Sequence, residues 1–142
     1  MRRIDLESDI GMLWSAGRIA DAINFLGGII ALWVAARLAS VAVERDANIF
    51  AKITITIFGL CVVVTNLAFY VGSLWTWVGA ARNLQALKDS GVSLSPHATD
   101  YIETFGGLAD PSLLDKPIAL LLNLSVLALI IGILWFQPKP ED

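Results

Sequence analysis

The sequence predicts an all-α integral membrane protein with three transmembrane helices, roughly 19–43, 50–82 and 116–136, and a short amphipathic loop helix, roughly 96–105. Three observations predict it. Ile53–Ala81 contains no charged residue, and as a helix it would be about 43 Å long, enough for the hydrocarbon core and both headgroup layers. Pro117–Pro138 is uncharged over 22 residues, enough for one further span. Apolar residues make up 56% of the chain and charged residues 16%, against roughly 25% charged in soluble domains. The 142 residues have room for one domain, read as a single three-span membrane domain over 1–142 with an extramembrane loop over 83–115.

The N-terminal residues 1–9 are polar, and Asp5, Ser8 and Asp9 are candidate helix N-caps. Arg2 and Arg3 followed by an apolar stretch resemble a signal peptide, with Ser40-Val41-Ala42 as a cleavage site. Asp5, Glu7 and Asp9 spoil the basic n-region and the segment is long, so a retained helix is expected. Trp14 suits an interface. The uncharged stretch Ala22–Ala36 is too short to span unless extended toward Val43, which brings Arg37 inside the helix. Arg37 is then expected to snorkel toward the interface near Glu44.

This first span carries small residues every fourth position, Gly27, Ala31, Ala35 and Ala39, with Ala16, Ala20, Asn24 and Gly28 as a second row. Small rows let helix backbones approach closely, so a packing seam is expected there. The charged link Glu44–Lys52 predicts an antiparallel hairpin into the second span. There Ile53-Thr54-Ile55-Thr56-Ile57 alternates like a strand, but a strand edge in lipid leaves its backbone unpaired, so a helix is expected. Gly59, Asn66, Ser73 and Ala80 recur at seven-residue spacing and give that helix a small or polar face. Asn66 needs a hydrogen-bond partner, most simply on a neighbouring helix; the functional alternative is a ligand or ion path.

Helical pattern continues through Arg82–Lys88 to a stop at Ser90-Gly91. In the polar stretch that follows, Ser95 can cap, Pro96 suits the first helical position and Gly106-Gly107 ends the helix. Ala98, Tyr101, Ile102 and Phe105 form its apolar stripe, with Asp100 and Glu103 largely off it. The acidic face disfavours anionic lipid, so Tyr101, Ile102 and Phe105 are expected to dock on a protein partner. Asp110-Pro111 and Asp115-Lys116-Pro117 are helix-start signals for the last span. That span carries Asn123 near its start, the small strip Ser125, Ala128 and Gly132, and the aromatic pair Trp135-Phe136, and it stops at Pro138 and Pro140. Six basic residues on the N-terminal side against four on the other favour a cytoplasmic N-terminus and 82–116 loop.

No residue pattern carries catalysis, and no cofactor is expected. Cys61 is the only cysteine and lies in the apolar run, so no disulfide forms within the chain. His97 is the only histidine, which excludes bis-histidine haem ligation within one chain and a histidine-cluster metal site. Asp100 with Glu103, or Asp110 with Asp115, sit on a polar face or beside helix starts, which accounts for them without chemistry. No phosphate loop is present, and a net charge of −3 disfavours nucleic acid. The expected function is a non-catalytic structural or accessory subunit of a larger complex in the bacterial inner membrane; respiratory, photosynthetic and membrane-oxygenase assemblies are hosts of that class. Its expected partners are other membrane subunits, the lipid bilayer, or further copies of the chain. The alternative is a homo-oligomeric pore or small transport component lined by Asn66 and Ser73.

Overall fold

The computed structural model describes residues 3–136. They form α1 (Arg3–Glu44), α2 (Ile49–Asp89), α3 (Pro96–Phe105), a single 3-10 turn over Leu113–Asp115, and α4 (Pro117–Phe136). Helices α1, α2 and α4 are each long and apolar enough to cross a membrane. Among the described residues there is no strand, and Ile53–Ile57 lies within α2. The expected stop at Pro138 and Pro140 lies outside the described residues.

One helix bound departs from the sequence reading. Helix α1 begins at Arg3, before the expected caps, while α2 continues to Asp89, where the helical pattern through Lys88 and the stop at Ser90-Gly91 place its end. With 42 and 41 residues they are each roughly 60 Å long, about twice the thickness of a hydrocarbon core. Ser8 and Asp9 therefore lie inside α1 and do not cap it. An N-cap contributes only about 1 kcal/mol, and Glu7, one residue before Ser8, accepts two hydrogen bonds from Ser95, which the continued helix positions.

Both long helices end in the same backbone motif. At the end of α1, Ala47 N donates to Ala42 O at 2.8 Å and Asp46 N to Val43 O at 3.1 Å, with Asp46 at φ 50°. At the end of α2, Val92 N donates to Leu87 O at 3.3 Å and Gly91 N to Lys88 O at 2.9 Å, with Gly91 at φ 84°. Each pair satisfies carbonyls the helix leaves open, and each needs a left-handed residue at its centre. Glycine takes that conformation without strain, and aspartate is among the few others that visit it. Asn48 then starts α2 by accepting from Ala51 N at 2.9 Å.

The chain forms two compact units: residues up to Ile23 with Tyr70–Asp115, and Asn24–Phe69 with the residues from Lys116 on. In the second unit, Ala35, Ala39 and Ala42 of α1 are buried with Ile130 and Leu134 of α4, flanked by Ile55 and Val126. Alanines on α1 admit the branched side chains of α4 at short interaxial distance. Successive contacts between α2 and α4 run in opposite senses: Asn66 meets Asn123, Gly59 faces Ile130, and Thr56 meets Trp135. The two segments are antiparallel.

The first unit holds α3 against the long helices. Ser95 caps it by accepting from Ala98 N at 3.2 Å, and Pro96 occupies the first turn. Glu7 of α1 accepts from Ser95 N at 3.0 Å and from Ser95 Oγ at 2.5 Å, so the cap is itself fastened to α1. Leu84, Ala98 and Ile102 form the core, flanked by Ile10, Leu94 and Tyr101. Asp115 bonds back to Ser112 N at 2.6 Å and stabilises the 3-10 turn; the α-helix itself starts one step later, at Pro117.

Candidate functional site

In an uncharged helical bundle the groups with most to gain from position are the lone amides. Asn66 and Asn123 are both buried, Asn123 completely. Asn66 Nδ2 donates to Asn123 Oδ1 at 2.9 Å, and Asn123 Nδ2 donates to Ala119 O at 2.8 Å. The pair thus links α2 to α4 and ties the second amide to its own helix. Gly28 of α1 completes the arrangement: a Cβ there would collide with Asn66 Oδ1. The glycine is required for this close approach, and Asn66 sits where three helices meet.

Along the α1 row, Ala35 and Ala39 are fully buried, Ala31 is half-buried, and Gly27 is exposed with nothing within 4 Å of an added Cβ. On α2, Gly59 is buried and a Cβ there would lie 3.2 Å from Ile130 Cδ1. Ser73 is half-buried and donates to Tyr70 O at 2.9 Å. On α4, Ser125 and Ala128 are exposed, Ser125 donating to Leu121 O at 2.7 Å, and Gly132 has nothing within 4 Å of an added Cβ. Two further residues complete the contact: Gly28, from the second small row of the first span, and Asn123, which was noted near the start of the last span without a packing role. The available signal was symmetry: Asn66 and Asn123 are lone amides in uncharged runs, and each is the other's natural partner.

The α3 residues expected to dock on a partner pack within the chain. Ile102 is buried in the chain's own core. Tyr101 Oη donates to Trp77 O at 3.2 Å. Phe105 packs on Trp77 and Tyr101, with ring centroids 5.1 and 4.8 Å apart. An apolar stripe says that a helix is covered, and here α1 and α2 of the same chain supply the cover.

The cluster they join is aromatic. Trp14 meets Trp77 edge-on at 5.3 Å, Trp77 and Tyr101 stack at 6.3 Å, and the Arg18 guanidinium lies 4.7 Å over the Trp77 ring while pairing with Asp21 at 2.9 Å. Such pairs add about 0.5–1.5 kcal/mol beyond their burial. Burial pushes the Tyr101 phenol above its ordinary value; the Trp14 indole N–H and the Arg18 charge act in the opposite direction and are the smaller effects. The Trp14 Nε1 is buried and falls short of hydrogen-bond geometry with any acceptor among the described residues. On the other side of α2, Arg82 lies over Trp75 and donates to Asp110 at 2.7 Å and to Leu108 O at 3.3 Å. Among the described residues, no three of histidine, cysteine, aspartate and glutamate come together as a metal site requires. Compared with protein-family models, curated proteins and solved structures, the chain matches none.

Proposed function

We propose that the chain is a non-catalytic accessory subunit of a larger integral membrane complex, with α1, α2 and α4 crossing a bacterial inner membrane. The observation that carries this reading is the small amount of helix surface the chain covers for itself. The most apolar windows of the three helices are 22%, 17% and 17% buried. On the uncovered surface lie Gly27 of α1 and Ser125 and Ala128 of α4, small groups that suit close helix contact better than contact with acyl chains. The acidic residues Asp100 and Glu103 of α3 are also exposed and offer a polar face to a neighbouring subunit outside the bilayer. In that setting α4, with 20 residues, matches a hydrocarbon core of about 30 Å. Arg18, Asp21 and Arg82 flank the uncharged stretches of α1 and α2, so Trp14, Trp77 and Tyr101 fall at headgroup depth, where amphipathic rings are favoured.

The pore reading has less support, because Asn66 is spent on Asn123 inside the chain. Native mass spectrometry of the chain, extracted from its own membrane in mild detergent, tests the proposal. A stoichiometric complex with other polypeptides is expected. Copies of the chain alone, together with ion flux in liposomes that Asn66→Leu alters, would replace it with the pore.

A further inference from the structure

The residues that lead into α4 form the 3-10 turn Leu113–Asp115. Its closure is polar. The Asp115 carboxylate accepts from Ser112 N at 2.6 Å and from Ser112 Oγ at 3.1 Å, and Asp115 N donates to Ser112 O at 3.3 Å. Between those two residues the turn presents Leu113 and Leu114, which are 41% and 78% exposed. Neither joins the buried core of its unit.

We infer that this turn is an interfacial anchor, whose two leucines enter the lipid leaflet at the boundary between headgroups and acyl chains. The inference rests on the reading of α4 as a membrane span, and it fixes how the first end of that span is held. Chain length sets the depth. The 20 residues of α4 are about 30 Å long and match a hydrocarbon core, which puts Pro117 at its edge. Leu114 precedes Pro117 by three residues, at most about 11 Å of chain. The headgroup layer on each side is about 5–8 Å thick, so the turn lies in it or at its outer margin. An exposed leucine there leaves water by entering the acyl boundary, and that transfer is favourable. Charge does not oppose it: of the two neighbouring carboxylates, Asp110 accepts from Arg82 at 2.7 Å and Asp115 is held by Ser112. Lipid is the occupant because the apolar surface is continuous with that of the span, where Ile118, Leu121 and Leu122 are also exposed. The far end of α4 carries Trp135 and Phe136, whereas no aromatic residue lies between Phe105 and Trp135. Aromatic side chains hold a span at its interfaces; at the first end of α4 the leucine turn takes that place.

Depth-dependent fluorescence quenching of the full chain in phosphatidylcholine vesicles tests the assignment. A nitrobenzoxadiazole label is placed on Leu114→Cys in a Cys61→Ala background, with Glu103→Cys on α3 and Ser125→Cys on α4 as references, both exposed positions. The Leu114→Cys label should emit to the blue of the Glu103→Cys label and lose intensity to lipids carrying a nitroxide high on the acyl chain. It should lose less to a nitroxide near the chain end, and aqueous iodide should quench it less than the Glu103→Cys label. The Ser125→Cys label separates two failures. If lipid nitroxides quench it while iodide quenches the Leu114→Cys label freely, the anchor is overturned and the span stands. If iodide quenches both freely, the span fails and the anchor with it. A Leu114→Cys label shielded from iodide and from every lipid nitroxide is covered by protein, which also overturns the inference.

Discussion

Replacing Gly28 by alanine adds one methyl group at the point where Asn66 approaches α1. The added Cβ would collide with Asn66 Oδ1, with Asn66 Cγ at 3.0 Å and Nδ2 at 3.4 Å. The carboxamide must swing away, which breaks its bond to Asn123. Interhelical bonds of this kind average about 0.6 kcal/mol and reach about 1.7. Overfilling a packed contact costs about 1–3 kcal/mol. Alanine in place of glycine returns up to about 1 kcal/mol of helix propensity. The net expectation is a loss of about 2 kcal/mol for Gly28→Ala. The cause is tested by repeating the change in an Asn66→Ala background, where nothing remains to collide with. There Gly28→Ala should be neutral or mildly stabilising, so the double-mutant cycle should show a coupling of about 2 kcal/mol. Reversible unfolding in mixed micelles, followed by circular dichroism, measures all four proteins. Equal costs for Gly28→Ala in both backgrounds would refute the three-helix contact.

Three further outcomes follow. Ala35 is fully buried, so Ala35→Leu should destabilise by about 1–3 kcal/mol in the same micelle assay, while the volume-conserving Leu32→Met should cost less than about 1.5. Ser95→Ala removes the cap of α3 and the hydroxyl donor to Glu7, and should cost about 1–2 kcal/mol, read as faster amide hydrogen exchange confined to Pro96–Phe105. The Tyr101 phenol is raised above its ordinary value of 10.0; the folded state holds the proton more tightly, so its contribution is complete below pH 10 and is lost as pH climbs through the folded value. Absorbance at 295 nm should therefore show one tyrosine titrating above pH 10 in wild type and missing from Tyr101→Phe, whose stability should no longer carry that alkaline loss.

What could be read from the residues alone was what local chemistry determines. The apolar run Ile53–Ala81 reveals α2 because each missing charge is a local fact. Ser95, Pro96 and Gly106 bound α3 because capping involves groups three or four residues apart. The start of α1 was missed for the converse reason: Ser8 and Asp9 have cap chemistry, but the tertiary bonds of Glu7, which precedes them, to Ser95 are made from a continued helix. The amide of Asn66 announced a need for a partner, yet Asn123 lies 57 residues away, and no local pattern carries that distance. The stripe on α3 was legible as buried, but the same stripe fits a second protein or its own chain, and only the tertiary structure distinguishes the two. The aromatic cluster was visible as scattered tryptophans, and its assembly depends on α1 continuing through Trp14.

The proposed function requires that all three long helices cross a bilayer. Its direct test is single-cysteine accessibility in sealed, oriented vesicles, in a Cys61→Ala background because Cys61 is exposed. Arg45→Cys marks the link between α1 and α2, and Glu103→Cys marks the outer face of α3. An impermeant maleimide should label the two positions from opposite sides. Labelling of both from the same side, with the vesicles intact, would contradict the three-span arrangement and the proposal built on it.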